Sequence, residues 1–79
     1  MVMTLAQLRR NELAAVGDLD GRPATVQRLM AMGFLPGAAV RVVEVAPFGD
    51  PITVEIDSWR LSLRRSDADA VRVAPSGRR

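Results

Sequence analysis

The stretch Arg28-Leu29-Met30-Ala31-Met32-Gly33-Phe34-Leu35-Pro36-Gly37 constrains the fold more than any other part of the chain. Val26, Leu29 and Met30 recur at helical spacing. Pro23 stands where a first helical residue would, a position whose N–H a helix leaves unpaired anyway. Gly33 falls just past the last helical residue, where a left-handed cap suits glycine. Pro36-Gly37 is a turn, proline fixing φ and glycine supplying φ > 0. The spacing therefore predicts a helix over about Pro23 to Met32 that passes at once into a strand. Left between the two breakers is Phe34-Leu35, an apolar pair that either closes a small core or faces a partner.

On either side of that helix the pattern is β. A first strand falls within Asn11 to Asp18, around Leu13 and Val16. Upstream, Leu5 and Leu8 behind Thr4 read as one turn or a loose lead-in. Ala39 to Ala46 is rich in β-branched residues but slips in phase, Val40 and Val42 sharing one face and Val43 and Val45 the other, as a bulged or coiled strand does. Ile52-Thr53-Val54-Glu55-Ile56 alternates cleanly, turns at Asp57-Ser58, and returns from Trp59 to Arg64. Ser66 to Ala70 is an acidic turn with capping chemistry at its front, and Val71 to Val73 closes the fold. Five short strands and one helix predict a small, partly open β-barrel. Its predicted core is Leu13, Val16, Val26, Leu29, Met30, Val42, Val54, Ile56, Leu61, Leu63, Val71 and Val73.

At 79 residues this is one domain, over 1–75, with a disordered basic tail at 76–79. A chain of this size buries only about 60% of its unfolded surface. Cysteine and histidine are both absent, which excludes disulfides and thiolate or imidazole metal sites. The acids never fall in a ligand-loop spacing, so no metal and no cofactor is expected. A pI near 11.0 suggests nucleic acid, yet 11 arginines against 9 acids leave only +2. With nothing titrating between carboxylates and guanidinium groups, that small excess carries the pI upward. The order of charged and apolar residues at the start is the reverse of a signal peptide, which predicts a cytosolic protein.

Three runs now combine: Arg28-Leu29-x-x-Met32-Gly33-Phe34-x-Pro36-Gly37, Ala46-Pro47-Phe48-Gly49-Asp50-Pro51, and Trp59-Arg60-Leu61-Ser62-Leu63-Arg64. In this order and spacing they closely resemble the FeoA family, small cytosolic partners of the bacterial ferrous-iron transport system. The resemblance covers about residues 4 to 74. It implies an SH3-like barrel with an inserted helix and a protein that works with FeoB, a membrane permease bearing a GTP-hydrolysing domain. Association with the membrane would be indirect, through that partner. The family usually has glycine where Asn11 and Ser58 stand. Asparagine tolerates φ > 0, so the first departure is mild, and the second bears on how tightly that hairpin turns.

Candidate binding residues follow from the breakers and the charges. Phe48 sits among Pro47, Gly49, Asp50 and Pro51, where no strand directs it inward, and it favours contact over core. Phe34 and Leu35 are a second candidate anchor, with the core as the competing assignment. Arg28 and Arg64 lie within the matched motifs and form a candidate cationic rim. Arg60 is more simply a solvated residue paired to Glu55, Asp57 or Glu44. Trp59 is expected to be a partly buried packing residue, and Met30 and Met32 to be core and cap packing.

Enzyme is the weakest class, since no histidine, cysteine or base-supported serine exists to do chemistry. The leading expectation is a non-catalytic accessory module that binds and modulates a FeoB permease. A nucleic-acid-binding SH3-like module is one alternative, disfavoured by the charge balance. A weak homo-oligomer closed through edge strands is another.

Overall fold

The computed structural model describes residues 3–75; the predicted basic tail at 76–79 lies outside the described residues. In chain order the elements are β1 (Met3–Thr4), a 3-10 turn (Leu5–Gln7), β2 (Leu13–Leu19), α1 (Pro23–Ala31), β3 (Ala39–Val45), β4 (Ile52–Ile56), β5 (Trp59–Leu63), α2 (Arg65–Ala68) and β6 (Val71–Pro75). The strands form one six-stranded antiparallel sheet in the order β1-β6-β2-β3-β4-β5. The additional strand is β1, whose two residues pair with Val73 and Arg72 and are too few to carry a periodic signal. Because β1 and β5 do not pair, the sheet coils without closing. This is a mainly β, SH3-like, partly open barrel with one inserted helix.

Each junction follows from local chemistry. Helix α1 opens at Pro23 behind Arg22 and ends with Met32 as its cap. Past it, Gly33 adopts φ +108° and its N–H reaches the carbonyl of Met30, while the N–H of Phe34 reaches that of Leu29. Those two bonds define a Schellman motif, in which the residue after the glycine folds back onto the helix. Leu35 to Ala38 is a type II turn, closed by Ala38 N–H to the Leu35 carbonyl, with Gly37 at φ +90°. Asp57 and Ser58, at φ 52° and 73°, make the type I′ turn that matches the twist of a two-residue hairpin. Asn11 also lies at positive φ, so both departures from glycine fall where glycine would be easiest.

The phase slip in β3 is a bulge. Val42 faces Val54 and Glu44 faces Thr53, leaving Val43 as the extra residue. Val45 then stands opposite Ile52, on the face of Val42 and not with Val43 as alternation alone suggested. The buried core comprises Ala14, Val16, Leu29, Phe34, Val40, Val42, Ile52, Val54, Ile56, Leu63, Ala68, Val71 and Val73, joined by Leu5, Ala6 and Leu8 from the lead-in.

Four expected core positions are corrected. Leu13 and Met30 are exposed, and Val26 and Leu61 only half-buried. In β2 the inward positions are Ala14 and Val16, so Leu13 falls on the outer face, opposite Arg41. A small alanine at the inward position disguised the register. In α1 only Leu29 is fully buried, and Met30 turns to solvent.

Candidate functional site

The loop from Ala46 to Pro51 is built to be rigid and to present one side chain. Gly49 N–H donates to the Ala46 carbonyl at 2.7 Å, closing a β-turn with Pro47 and Phe48 at its centre. Proline at the second position and glycine at the fourth are the type I preferences. Ala46 N–H donates to the Pro51 carbonyl at 3.1 Å, tying the base. At the tip, Phe48 is 98% exposed.

Arg65, at the start of α2, fastens this loop. Its backbone N–H donates to Asp50 Oδ1 at 3.0 Å, its Nη1 to the Gly49 carbonyl at 3.1 Å, and its Nη2 to the Ala6 carbonyl at 3.0 Å. Arg65 lies two residues beyond β5 and Ala6 two residues beyond β1. One guanidinium thus spans the two strands that leave the barrel open.

The site residues divide accordingly. Helix α2 gathers Gly49 and Asp50 through Arg65, and Arg28 through a 2.9 Å ion pair to Asp67. Arg64, the residue before α2, is exposed with extended backbone. Phe34 is a correction. It is fully buried, because the Schellman motif folds it onto Leu29, and it cannot serve as a surface anchor. Leu35 stays 47% exposed on the type II turn, and no hydrogen bond or ion pair among the described residues joins it to the α2 cluster.

Arg60 and Trp59 also differ from expectation. Glu55 is held by Arg41 at 2.8 Å, so Arg60 has no acidic partner among the described residues. Trp59 is 71% exposed, because β5 is the sheet's edge and Trp59 is its first residue. Nor does Ser66 cap α2, whose preceding residue is Arg64; Asp67 and Asp69 instead hold Arg28 and the Thr4 hydroxyl. Arg65 itself escaped the sequence reading. Its partners are mostly backbone groups, which carry no residue signature, and its neighbour Arg64 looks the same in sequence.

Fold and site together define a small, partly open barrel that presents one exposed aromatic on a tied loop. Among the described residues no group of three or more His, Cys, Asp or Glu could hold a metal ion. No helix among them is long and apolar enough to cross a membrane. The chain belongs to the FeoA domain family, whose model matches residues 3–75. FeoA domains are non-catalytic modules.

Among relatives, the chain is 35% identical over 71 residues to an Fe(2+) transport protein A/Fe(2+) transporter FeoB fusion protein of Porphyromonas gingivalis. That match takes in 90% of this chain but only 8% of the fusion protein's length. The FeoA protein of Chlorobium tepidum superposes with a TM-score of 0.88 at 35% identity, covering 95% of this chain and 71% of that one. The FeoA of Stenotrophomonas maltophilia, solved in complex with zinc, superposes with a TM-score of 0.81 at 34% identity, covering 91% and 89%.

Proposed function

We propose that this chain is a non-catalytic accessory module of bacterial ferrous-iron uptake that docks, in the cytosol, on a FeoB-type permease. The observation that carries the reading is the kinship with a polypeptide joining both modules in one chain, an arrangement that suits two parts working side by side. The geometry supports it. Phe48 is held out on a loop fixed by Arg65 and Asp50, which lowers the ordering cost of docking. Exposed aromatics on rigid loops are typical anchors of protein interfaces. Gly49 and Asp50 shape that loop, Arg28 and Arg64 lie at α2, which fastens it, and Leu35 is a separate exposed apolar residue on the turn after α1.

Nucleic-acid binding is the weaker reading. Arg28, Arg41 and Arg72 are paired to Asp67, Glu55 and Asp20, which removes them from a phosphate-binding face.

The test is a titration of the purified cytosolic part of FeoB with the wild-type chain and with Phe48→Ala. Loss of an anchor of this kind weakens binding by about tenfold or more. A variant that binds and supports iron uptake as the wild type does would remove Phe48 from the interface.

A further inference from the structure

The outer face of the sheet carries a row of facing residues across four strands: Leu13, Arg41, Glu55 and Arg60. Glu55 stands between two arginines and bonds one of them, Arg41. The row therefore ends, at the free edge of the sheet, on a cation lacking its carboxylate. Two residues further along, Ser62 spends its hydroxyl on Thr53, at 2.9 Å. Two further still, Arg64 continues the extended backbone and is exposed, with no acidic partner among the described residues.

The backbone of that edge is equally unfinished. A two-residue type I′ turn makes Ile56 and Trp59 a hydrogen-bonded pair, and alternation gives Leu61 and Leu63 the same role. The N–H and C=O groups of Arg60 and Ser62 then point away from β4. No backbone hydrogen bond among the described residues takes them up. On the opposite face Trp59, Leu61, Ala31 and Met32, with atoms of Arg60 also contributing, line a mainly apolar groove of about 490 Å³.

We propose that β5 is a docking edge that accepts an extended segment of a partner protein, with carboxylates on one face and apolar side chains on the other. Adding a strand there pairs the groups of Arg60 and Ser62. Carboxylates four residues apart on the incoming strand meet Arg60 and Arg64, the first completing the alternation of charge begun by Arg41 and Glu55. Its inward side chains cover Trp59 and fill the groove against Met32.

Charge selects this occupant over a second copy of the chain. Two β5 strands paired antiparallel about Ser62 set Arg60 against Arg64, and like charges directly opposite are destabilising. The other edge, β1, offers only two residues. Edge arginines also blunt aggregation. A bare Trp59 beside an apolar groove is the opposite of blunting, and it is what a docking edge leaves open. The proposal rests on the chain being a docking module and adds where the partner's strand is received.

Trp59 is the only tryptophan, so its fluorescence reads the groove directly. The probe is a synthetic seven-residue peptide alternating glutamate with valine and isoleucine, with a lysine-for-glutamate version as control. The acidic peptide shifts Trp59 emission to the blue and slows amide exchange at Arg60 and Ser62; the basic one does neither. Ser62→Pro removes one outward N–H that β4 does not use, so the fold survives while affinity falls by about tenfold or more. Arg60→Glu with Arg64→Glu reverses the preference to the basic peptide.

Equal response to both peptides, or no response with Trp59 still bare, overturns the proposal. So does edge protection that tracks self-association in light scattering, or a single-stranded oligonucleotide that shifts Trp59 at physiological salt where the peptide does not. The two readings separate in the FeoB titration. Phe48→Ala probes the loop and Ser62→Pro the edge, and a loss confined to Phe48→Ala rejects the edge while leaving the docking module intact.

Discussion

Two aromatics in this chain sit between turn-forming residues and meet opposite fates. Phe34 lies between Gly33 and Pro36 and is fully buried; Phe48 lies between Pro47 and Gly49 and is 98% exposed. Composition does not separate them. The difference is what each turn is attached to. Gly33 ends a helix, and the left-handed step there carries the next residue back over the preceding turn, onto Leu29. Pro47 and Phe48 form the centre of a β-turn between two strands, and the middle of such a turn points away from the sheet. A flanking breaker therefore says that an aromatic is fixed in place. Whether it is fixed inward or outward depends on the element being broken.

Four substitutions test that contrast, the largest effect first. Phe34→Ala should cost about 3–5 kcal/mol, the usual loss for emptying a buried aromatic site, read as a lower midpoint in urea unfolding. A loss under about 1 kcal/mol, within ordinary surface behaviour, would place Phe34 outside the core. Arg65→Ala should cost about 1–2 kcal/mol by leaving the Gly49 and Ala6 carbonyls without their donor. Amide exchange at Gly49 and Ala46 should quicken with it, since of the Arg65 bonds the loop then keeps only the one from the backbone N–H to Asp50.

Next comes Gly33→Ala. An added Cβ would meet no atom within 4 Å beyond its two chain neighbours, so the cost expected is that of holding alanine at φ +108°. About 1–2 kcal/mol is expected, and thermal unfolding would detect it. Phe48→Ala closes the series at about ±0.5 kcal/mol, as for an exposed side chain that packs on nothing. A clear destabilisation there would mean that the two aromatics are not opposites after all.

Much of the fold could be read from the chain because its turns are chemically explicit. Pro23, Gly33 and Pro36-Gly37 bound the helix and the strand after it, and the doubled valines of β3 mark its bulge. The fate of Phe34 was also encoded, since Leu29, Gly33 and Phe34 hold the spacing a Schellman motif requires. Other features had no local signal. Alternation shows that Trp59 begins a strand but not that the strand is an edge, and only the sheet order exposes it. The swap of partners by which Glu55 takes Arg41 and leaves Arg60 unpaired depends on which strand lies on each side of β4. Phe48, Gly49 and Asp50 were legible as a loop. The residue that holds the loop, Arg65, was not, because it reaches backbone carbonyls far away in sequence.

That reach has a consequence for the order of folding. Arg65 is 16 residues from Gly49 and 59 from Ala6. Contacts spanning such separations gain little until the intervening chain has been placed, so local turns and hairpins precede them. The fastening across the open side of the barrel belongs after the folding barrier. Arg65→Ala should therefore leave the refolding rate nearly unchanged and raise the unfolding rate, giving a stopped-flow chevron shifted in its unfolding arm alone. The turn that carries Phe48 forms early with its hairpin, and its Arg65 fastening is then late to form and early to be lost.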